Sequence, residues 1–157
     1  MSRYFTPTLA ALEPYTPGEQ RKMPDLVKLN ANENPYPPSP AVADAVAGAV
    51  AGLRLYCDLT EADLCAAIAQ QVGLPADHIL CGNGSDENLL LAIRAFCDGN
   101  TPLAFADITY SFYPVLCQLM GVPAHILPVR EDFTLDLTAY YGLGQTIVIA
   151  NPNAPTS

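Results

Sequence analysis

The chain has 157 residues, half of them hydrophobic and only 15% charged, a composition that predicts one compact folded unit and excludes a disordered polymer. A chain of this length buries roughly 68–70% of its unfolded surface, so its core needs neither a disulfide scaffold nor a zinc staple. Seven basic residues against sixteen acidic ones leave a net charge of -9, which repels phosphate backbones and anionic lipid and argues against nucleic-acid and membrane partners.

Residues 1–38 carry seven prolines and little periodicity, so this stretch reads as an extended or turning arm and not as a core element. Ser39-Pro40 supplies an N-cap and a first-turn proline. Val42, Ala45, Val46, Ala49 and Val50 then recur at helical spacing up to Gly52. Thr60 is placed to cap a second helix, with Glu61 and Asp63 in its first turn and Leu64, Ile68 and Val72 as its apolar stripe. Neither the apolar stretch 41–53, which Asp44 interrupts, nor the N-terminus has the length of a membrane span or a signal peptide. The five cysteines (Cys57, Cys65, Cys81, Cys97, Cys117) are odd in number, form no C-x-x-C pair and mostly sit in apolar surroundings, as thiols of a reducing cytoplasm do.

Ile79-Leu80-Cys81 is a short buried-strand candidate, Gly82-Asn83-Gly84-Ser85 a turn, and a helix follows from Asp86 with Leu89, Leu90, Ile93, Phe96 and Cys97 on its buried side. The pattern repeats: Leu103-Ala104-Phe105 as strand, 107–110 as loop, then a helix presenting Phe112, Val115, Leu116 and Leu119 and closed by Gly121. Residues 124–129 and 145–150 read as two more strands, the β-branched run Thr146-Ile147-Val148-Ile149 suiting a strand buried on both faces. Alternating strands and helices predict an α/β fold whose sheet is at least partly parallel.

A strand, a glycine turn and a helix opening with Ser85-Asp86-Glu87 would offer unpaired N–H groups and the positive end of a helix dipole to a phosphate. The segment is no dinucleotide fingerprint, because Glu87 stands at the third glycine, and no P-loop, because no Gly-Lys-Ser/Thr follows. Alone, it reads first as an ordinary strand-to-helix turn capped by Ser85, with Asp86 and Glu87 as cap-dipole residues. Asn151-Pro152-Asn153-Ala154-Pro155-Thr156-Ser157 follows a strand, at the end where α/β folds place ligands; Leu29-Asn30-Ala31-Asn32-Glu33-Asn34-Pro35 reads by itself as surface Asx turns. Tyr56, Tyr110 and Tyr113 have core or rim roles as their plain alternative.

Taken in order, these segments with Tyr56, Ile93-Arg94-Ala95-Phe96 and Thr109-Tyr110 resemble the N-terminal half of the fold-type-I, class I/II aminotransferases that use pyridoxal phosphate, above all their histidinol-phosphate branch. The resemblance implies an incomplete large domain over 39–157 behind an arm of 1–38, with the C-terminal remainder and small domain absent. It implies that the N–H groups of Ser85, Asp86 and Glu87 hold the cofactor phosphate and that Tyr110 stacks on the pyridine ring. It also puts Asn153 among the cofactor-binding residues, Tyr56 against the phosphate of a second subunit in a homodimer, and Asn32 and Tyr36 in the substrate pocket. The implied reaction is amino transfer from L-histidinol phosphate to 2-oxoglutarate in histidine biosynthesis.

The family's closing pattern is Asn-Pro-x-Asn-Pro-Thr-Gly, whose second asparagine donates to the cofactor's phenolic oxygen; here that position is Ala154, and Ser157 replaces the glycine. Pyridoxal chemistry needs a Schiff-base lysine, yet the chain has only Lys22 and Lys28, both ahead of the glycine turn. No catalytic residue is therefore assigned, and the expectation is a fragment of a longer enzyme whose last strand keeps an unpaired apolar edge. Two alternatives stand beside it: a related pyridoxal-phosphate enzyme such as a threonine-phosphate decarboxylase, and a non-catalytic module that binds a phosphate-bearing ligand.

Overall fold

The computed structural model describes residues 3–156, so Ser157, like Met1 and Ser2 of the arm, lies outside the described residues. In chain order the helices are α1 (Pro7–Ala11), α2 (Pro40–Ala49), α3 (Ala62–Val72), α4 (Gly84–Phe96), α5 (Phe112–Met120) and α6 (Leu137–Tyr140). The strands are β1 (Leu103–Ala106), β2 (Ala124–Leu127) and β3 (Thr146–Ile147). Composition predicts one compact unit, whereas the structure divides into two. One joins the segment up to Thr16 to everything from Gly82 onward; the other is Pro17–Cys81.

The first unit is built on a parallel sheet in the order β2-β1-β3, with Leu103 level with both Ala124 and Thr146. Central β1 is buried along its whole length, as expected of a parallel strand covered on both faces. Leu103 and Phe105 face a cluster with Ile93 of α4, Cys97 just beyond that helix, and Tyr113, Leu116 and Cys117 of α5. Ala104, one residue out of phase, packs instead with Leu127 and Tyr140.

The predicted stripes on the two flanking helices are each met in part. At α4, Leu89, Leu90 and Ile93, with Cys97 just past the helix end, are wholly or partly buried as predicted, and Phe96, the last residue of the helix, is 67% exposed. On α5, Leu116 is buried and Phe112 packs on the core as predicted, but Tyr113 and Cys117 join the interior and Leu119 is exposed. Gly121 closes α5 in the left-handed conformation, its N–H returning to the carbonyls of Cys117 and Gln118.

Three strand expectations change. Ile79-Leu80-Cys81 is no strand: Ile79 is extended, but no ladder partner meets the segment among the described residues, and Leu80 is exposed. The 145–150 strand shortens to Thr146–Ile147, continued by one bond from the Val148 N–H to the Ala104 carbonyl. It is not buried on both faces, for Ile147 and Ile149 are exposed while Val148 between them is half-buried, the alternation of a strand covered on one side. The arm contains structure as well. Thr6 caps α1 by accepting from the Leu9 N–H, Gln118 donates to the Ala11 carbonyl at 3.0 Å, and Tyr15 packs edge-on against Phe112.

In the second unit, Pro40 occupies the first turn of α2 as predicted, but Ser39 makes no side-chain cap bond. Val42, Val46 and Val50 of the predicted stripe are all exposed. The cap of α3 is not Thr60. Asp58 accepts from the N–H groups of Thr60 and Ala62, at 3.1 and 2.9 Å, and the Thr60 hydroxyl itself donates to the Asp58 carboxylate. A carboxylate is the stronger acceptor for two converging N–H groups. Inside α3, Cys65 and Ala69 are buried, whereas Leu64 and Val72 are exposed, a one-position rotation of the predicted stripe.

Candidate functional site

The glycine turn ahead of α4 is shaped by close approach. A Cβ on Gly82 would collide with the side-chain oxygen of Asn88 and come within 3.2 Å of the Glu87 carboxylate; Gly84 has a φ of +82°, open to glycine and strained for other residues. The helix starts at Gly84, two residues earlier than predicted. Ser85 and Asp86 therefore lie in its first turn, ahead of the i to i-4 ladder, while the Glu87 N–H is the first placed to enter it. Asn83 caps nothing with its side chain, and its own N–H donates to the Glu87 carboxylate folded back over the turn. The side-chain oxygen of Asn88 is buried beside this turn with no protein partner.

Asp86 is tied to Tyr110, whose hydroxyl donates to its carboxylate at 2.9 Å. The Tyr110 ring stands perpendicular to that of Tyr113, with centroids 5.6 Å apart, and Tyr15 and Phe112 lie within 6.0 Å. Burial, reinforced by the Asp86 carboxylate, pushes the Tyr110 phenol far above its ordinary pKa, so it stays neutral and keeps its donor hydrogen. Thus Asp86 and Tyr110, predicted separately as phosphate and ring contacts, meet directly. Both acids of the first turn have donors, which tempers their repulsion of an approaching anion.

The closing loop is anchored by Asn153. Its side-chain oxygen accepts from the Thr109 hydroxyl at 2.7 Å, and its amide nitrogen donates to the Ile108 carbonyl at 2.9 Å and the Thr156 hydroxyl at 2.7 Å. Both amide hydrogens are committed, so Asn153 fastens the loop to the residues preceding Tyr110 and has none left to donate elsewhere. Ala154, exposed, contributes no side-chain donor. A cavity of about 370 Å³ opens beside this loop at the C-terminal ends of β1 and β3, lined by Ala106, Thr109, Leu135, Tyr140, Val148 and Asn153 among others. Ligands of open α/β sheets bind at that end.

Within Pro17–Cys81, Tyr56 is fully exposed and Tyr36 largely so. Asn32 adopts a left-handed φ of +52°, and Asn34 accepts from the Tyr36 N–H at 3.0 Å, the Asx geometry that was the plain reading of this stretch. Lys28 is held by Glu33 and Gln20. Sequence reasoning missed the roles of Asn88, Tyr15 and Thr156. Their partners are distant in sequence or need side-chain geometry, and no local pattern announces them. Asp58 could have been found as the start of an Asx turn, in which an aspartate accepts from the N–H two residues on.

Residues 24–157 match the family model described as aminotransferase class I and II. The chain belongs to that family. It is 49% identical to histidinol-phosphate aminotransferase 1 of Bordetella parapertussis, over 99% of this chain and 45% of that protein. It is 47% identical to histidinol-phosphate aminotransferase 2 of Gluconobacter oxydans, over 99% and 44%. Among solved structures it superposes with a TM-score of 0.81 and 25% identity on histidinol-phosphate aminotransferase from Sinorhizobium meliloti in complex with pyridoxal-5'-phosphate, over 99% of this chain and 44% of that one. The chain thus spans a little under half the length of the relatives it matches. The fold is that of the N-terminal part of a fold-type-I aminotransferase, with its parallel sheet and flanking helices. Among the described residues no helix is long and apolar enough to cross a membrane.

Proposed function

We propose that this chain is the phosphate-anchoring part of a cytoplasmic, homodimeric enzyme that moves the amino group of L-histidinol phosphate to 2-oxoglutarate with pyridoxal 5'-phosphate. Residues 39–157 would form part of its large domain, behind an arm of 1–38. The observation that carries the reading is the joined arrangement of the α4 first turn, Asp86 and Tyr110, in a chain nearly half identical to histidinol-phosphate aminotransferases. The names of those relatives favour this reaction over decarboxylation of a phosphorylated amino acid.

The residues present fit the cofactor. The uncapped start of a 13-residue helix supports a phosphate held by the N–H groups of Ser85 and Asp86, with Glu87 at the margin. Bound there, the cofactor supplies an electron sink for the bond broken at the amino-bearing carbon. Tyr110, neutral and fixed by Asp86 at its hydroxyl and by aromatic neighbours at its edges, offers a flat face against which a pyridine ring can stack. Asn153 contributes by holding the Thr109-Tyr110 segment and the closing loop together. Asn32 and Tyr36 would line the substrate pocket, and exposed Tyr56 would reach the phosphate of a second subunit. Lys22 and Lys28 both precede the glycine turn, and Lys28 is paired with Glu33, so neither is assigned the Schiff-base role.

Titration of the chain with pyridoxal phosphate, pyridoxal and inorganic phosphate, followed by tyrosine fluorescence, tests the anchoring role. Binding of the phosphate ester and its displacement by phosphate are expected, with little response to pyridoxal. Equal binding of pyridoxal would remove the phosphate turn from the account. Glutamate formation from L-histidinol phosphate and 2-oxoglutarate by the product of the complete reading frame tests the reaction itself. Phosphate-ester binding without any turnover there would favour the non-catalytic module.

A further inference from the structure

The sulfur atoms of Cys65 and Cys81 lie 3.7 Å apart. Cys65 is buried on α3 and Cys81 is half-buried in the extended stretch that follows the turn Ala76–His78. The remaining free cysteines are differently placed, Cys57 in solvent and Cys97 and Cys117 in the core of the other unit. Neither the proposed cofactor site nor the transfer reaction uses this pair.

We propose that Cys65 and Cys81 are a redox-closable dithiol, a modification site at which a hydroperoxide joins α3 to the residue peptide-bonded to Gly82. Three features carry it. The sulfurs are already in van der Waals contact and need to approach by less than about 2 Å to reach the roughly 2.05 Å of a disulfide. Cys65 is held by a regular helix, but Cys81 sits in backbone that no strand ladder restrains, so the approach falls on the segment best able to shift. The Cys65 sulfur also lies 3.8 Å from the carbonyls of Thr60 and Ile79, weak acceptor contacts that a disulfide gives up at little cost.

The step balances with one hydrogen peroxide. The half-exposed Cys81, as thiolate, attacks a peroxide oxygen, becoming a sulfenic acid as the O–O bond breaks and, with the thiol's proton, the first water leaves. The Cys65 sulfur then attacks the Cys81 sulfur, the S–O bond breaks, and the hydroxyl departs with the Cys65 proton as the second water. Two thiols lose two electrons and two protons, and the peroxide is reduced to two waters. Burial raises the Cys81 thiol above its ordinary pKa, with the neighbouring Cys65 adding to the effect, so the attacking thiolate is the minor form and closure is expected to quicken as pH rises.

The test exposes the reduced chain to hydrogen peroxide, blocks remaining thiols with N-ethylmaleimide under denaturing conditions and maps peptides without reduction. A loss of about 2 Da and a Cys65–Cys81 cross-linked peptide, both reversed by dithiothreitol, are expected. Cys57→Ser should retain the cross-link and Cys81→Ser should lose it. Alkylation of both Cys65 and Cys81 after oxidation, accumulation of sulfinic acid on either, or a cross-link that pairs one of them with Cys57 would overturn the proposal. Because the cross-link is read in the chain itself without cofactor or substrate, its failure is distinct from any failure of the transaminase reading.

Discussion

The two units are built from similarly apolar segments and end in different states. From Gly82 onward, a strand flanked by helices gathers Phe105, Leu103 and Leu116 into a core where each is at most 2% exposed. In Pro17–Cys81 the buried apolar residues are Cys65 and Ala69, while Val42, Val46, Val50 and Leu64 remain exposed. What separates them is the sheet. A parallel strand has two faces and accepts helices on both, whereas the α2 and α3 segment contains helices and turns with no sheet of its own. Apolar spacing specifies which side of a helix could be covered, and a second element must be available to cover it.

The largest expected effect is at the centre of the sheet. Phe105→Ala should destabilise the chain by about 3–5 kcal/mol in urea unfolding followed by circular dichroism, because it leaves a cavity between α4 and α5. A loss under about 1 kcal/mol would mean that this core is not the cooperative unit. Asn153→Ala removes three hydrogen bonds from the closing loop and should cost about 2–3 kcal/mol in the same assay. Near-full stability in that variant would show the loop to be independent of β1.

A pH titration reads the two units through different groups. Burial raises the phenols of Tyr110, Tyr113 and Tyr140, so the folded state keeps protons that the unfolded chain releases near pH 10. Their contribution is complete below about pH 10 and is lost as pH rises beyond it. Absorbance at 295 nm should therefore show these three of the eight tyrosines ionising only with unfolding. In the other unit, the N–H groups of Ala62 and Thr60 hold the Asp58 carboxyl below its usual range. That contribution is present above about pH 4 and fades as pH falls through the lower folded value. Asp58→Ala should accelerate amide exchange in the first turn of α3 and leave that of α5 unchanged.

The smallest effect is expected on α2, where Val46→Ala should change stability by no more than about 0.5 kcal/mol in dilute protein. A cost that grows with protein concentration would instead identify a second copy covering that face, and would sharpen the homodimer reading.

Much of the fold was legible because it is written in local terms. Leu103-Ala104-Phe105 is apolar and flanked by turn residues, Gly121 ends α5 in a conformation that other residues resist, and Pro40 marks the start of α2. The site was legible as an ordered set of short segments, from Gly82-Asn83-Gly84-Ser85 to the closing loop. Its internal wiring was not. The Tyr110 to Asp86 bond spans 24 residues and the Thr109 to Asn153 bond 44, and no spacing rule connects such positions. The short α6 also escaped notice, although Asp136, which accepts from the Thr138 N–H, was its available signal.

By itself, the sequence determined the alternation of strands and helices, the parallel character of the sheet, the glycine turn at a helix start and the family likeness, since each rests on residues close together in the chain. The tertiary structure decided which helix faces became interior, that Ile79-Leu80-Cys81 forms no strand, that Asn153 spends its amide on holding a loop, and that Cys65 meets Cys81. Those outcomes depend on which surfaces and donors meet once the chain has closed on itself, and burial and hydrogen bonding reward the pairing that is made in space and not the one that is near in sequence.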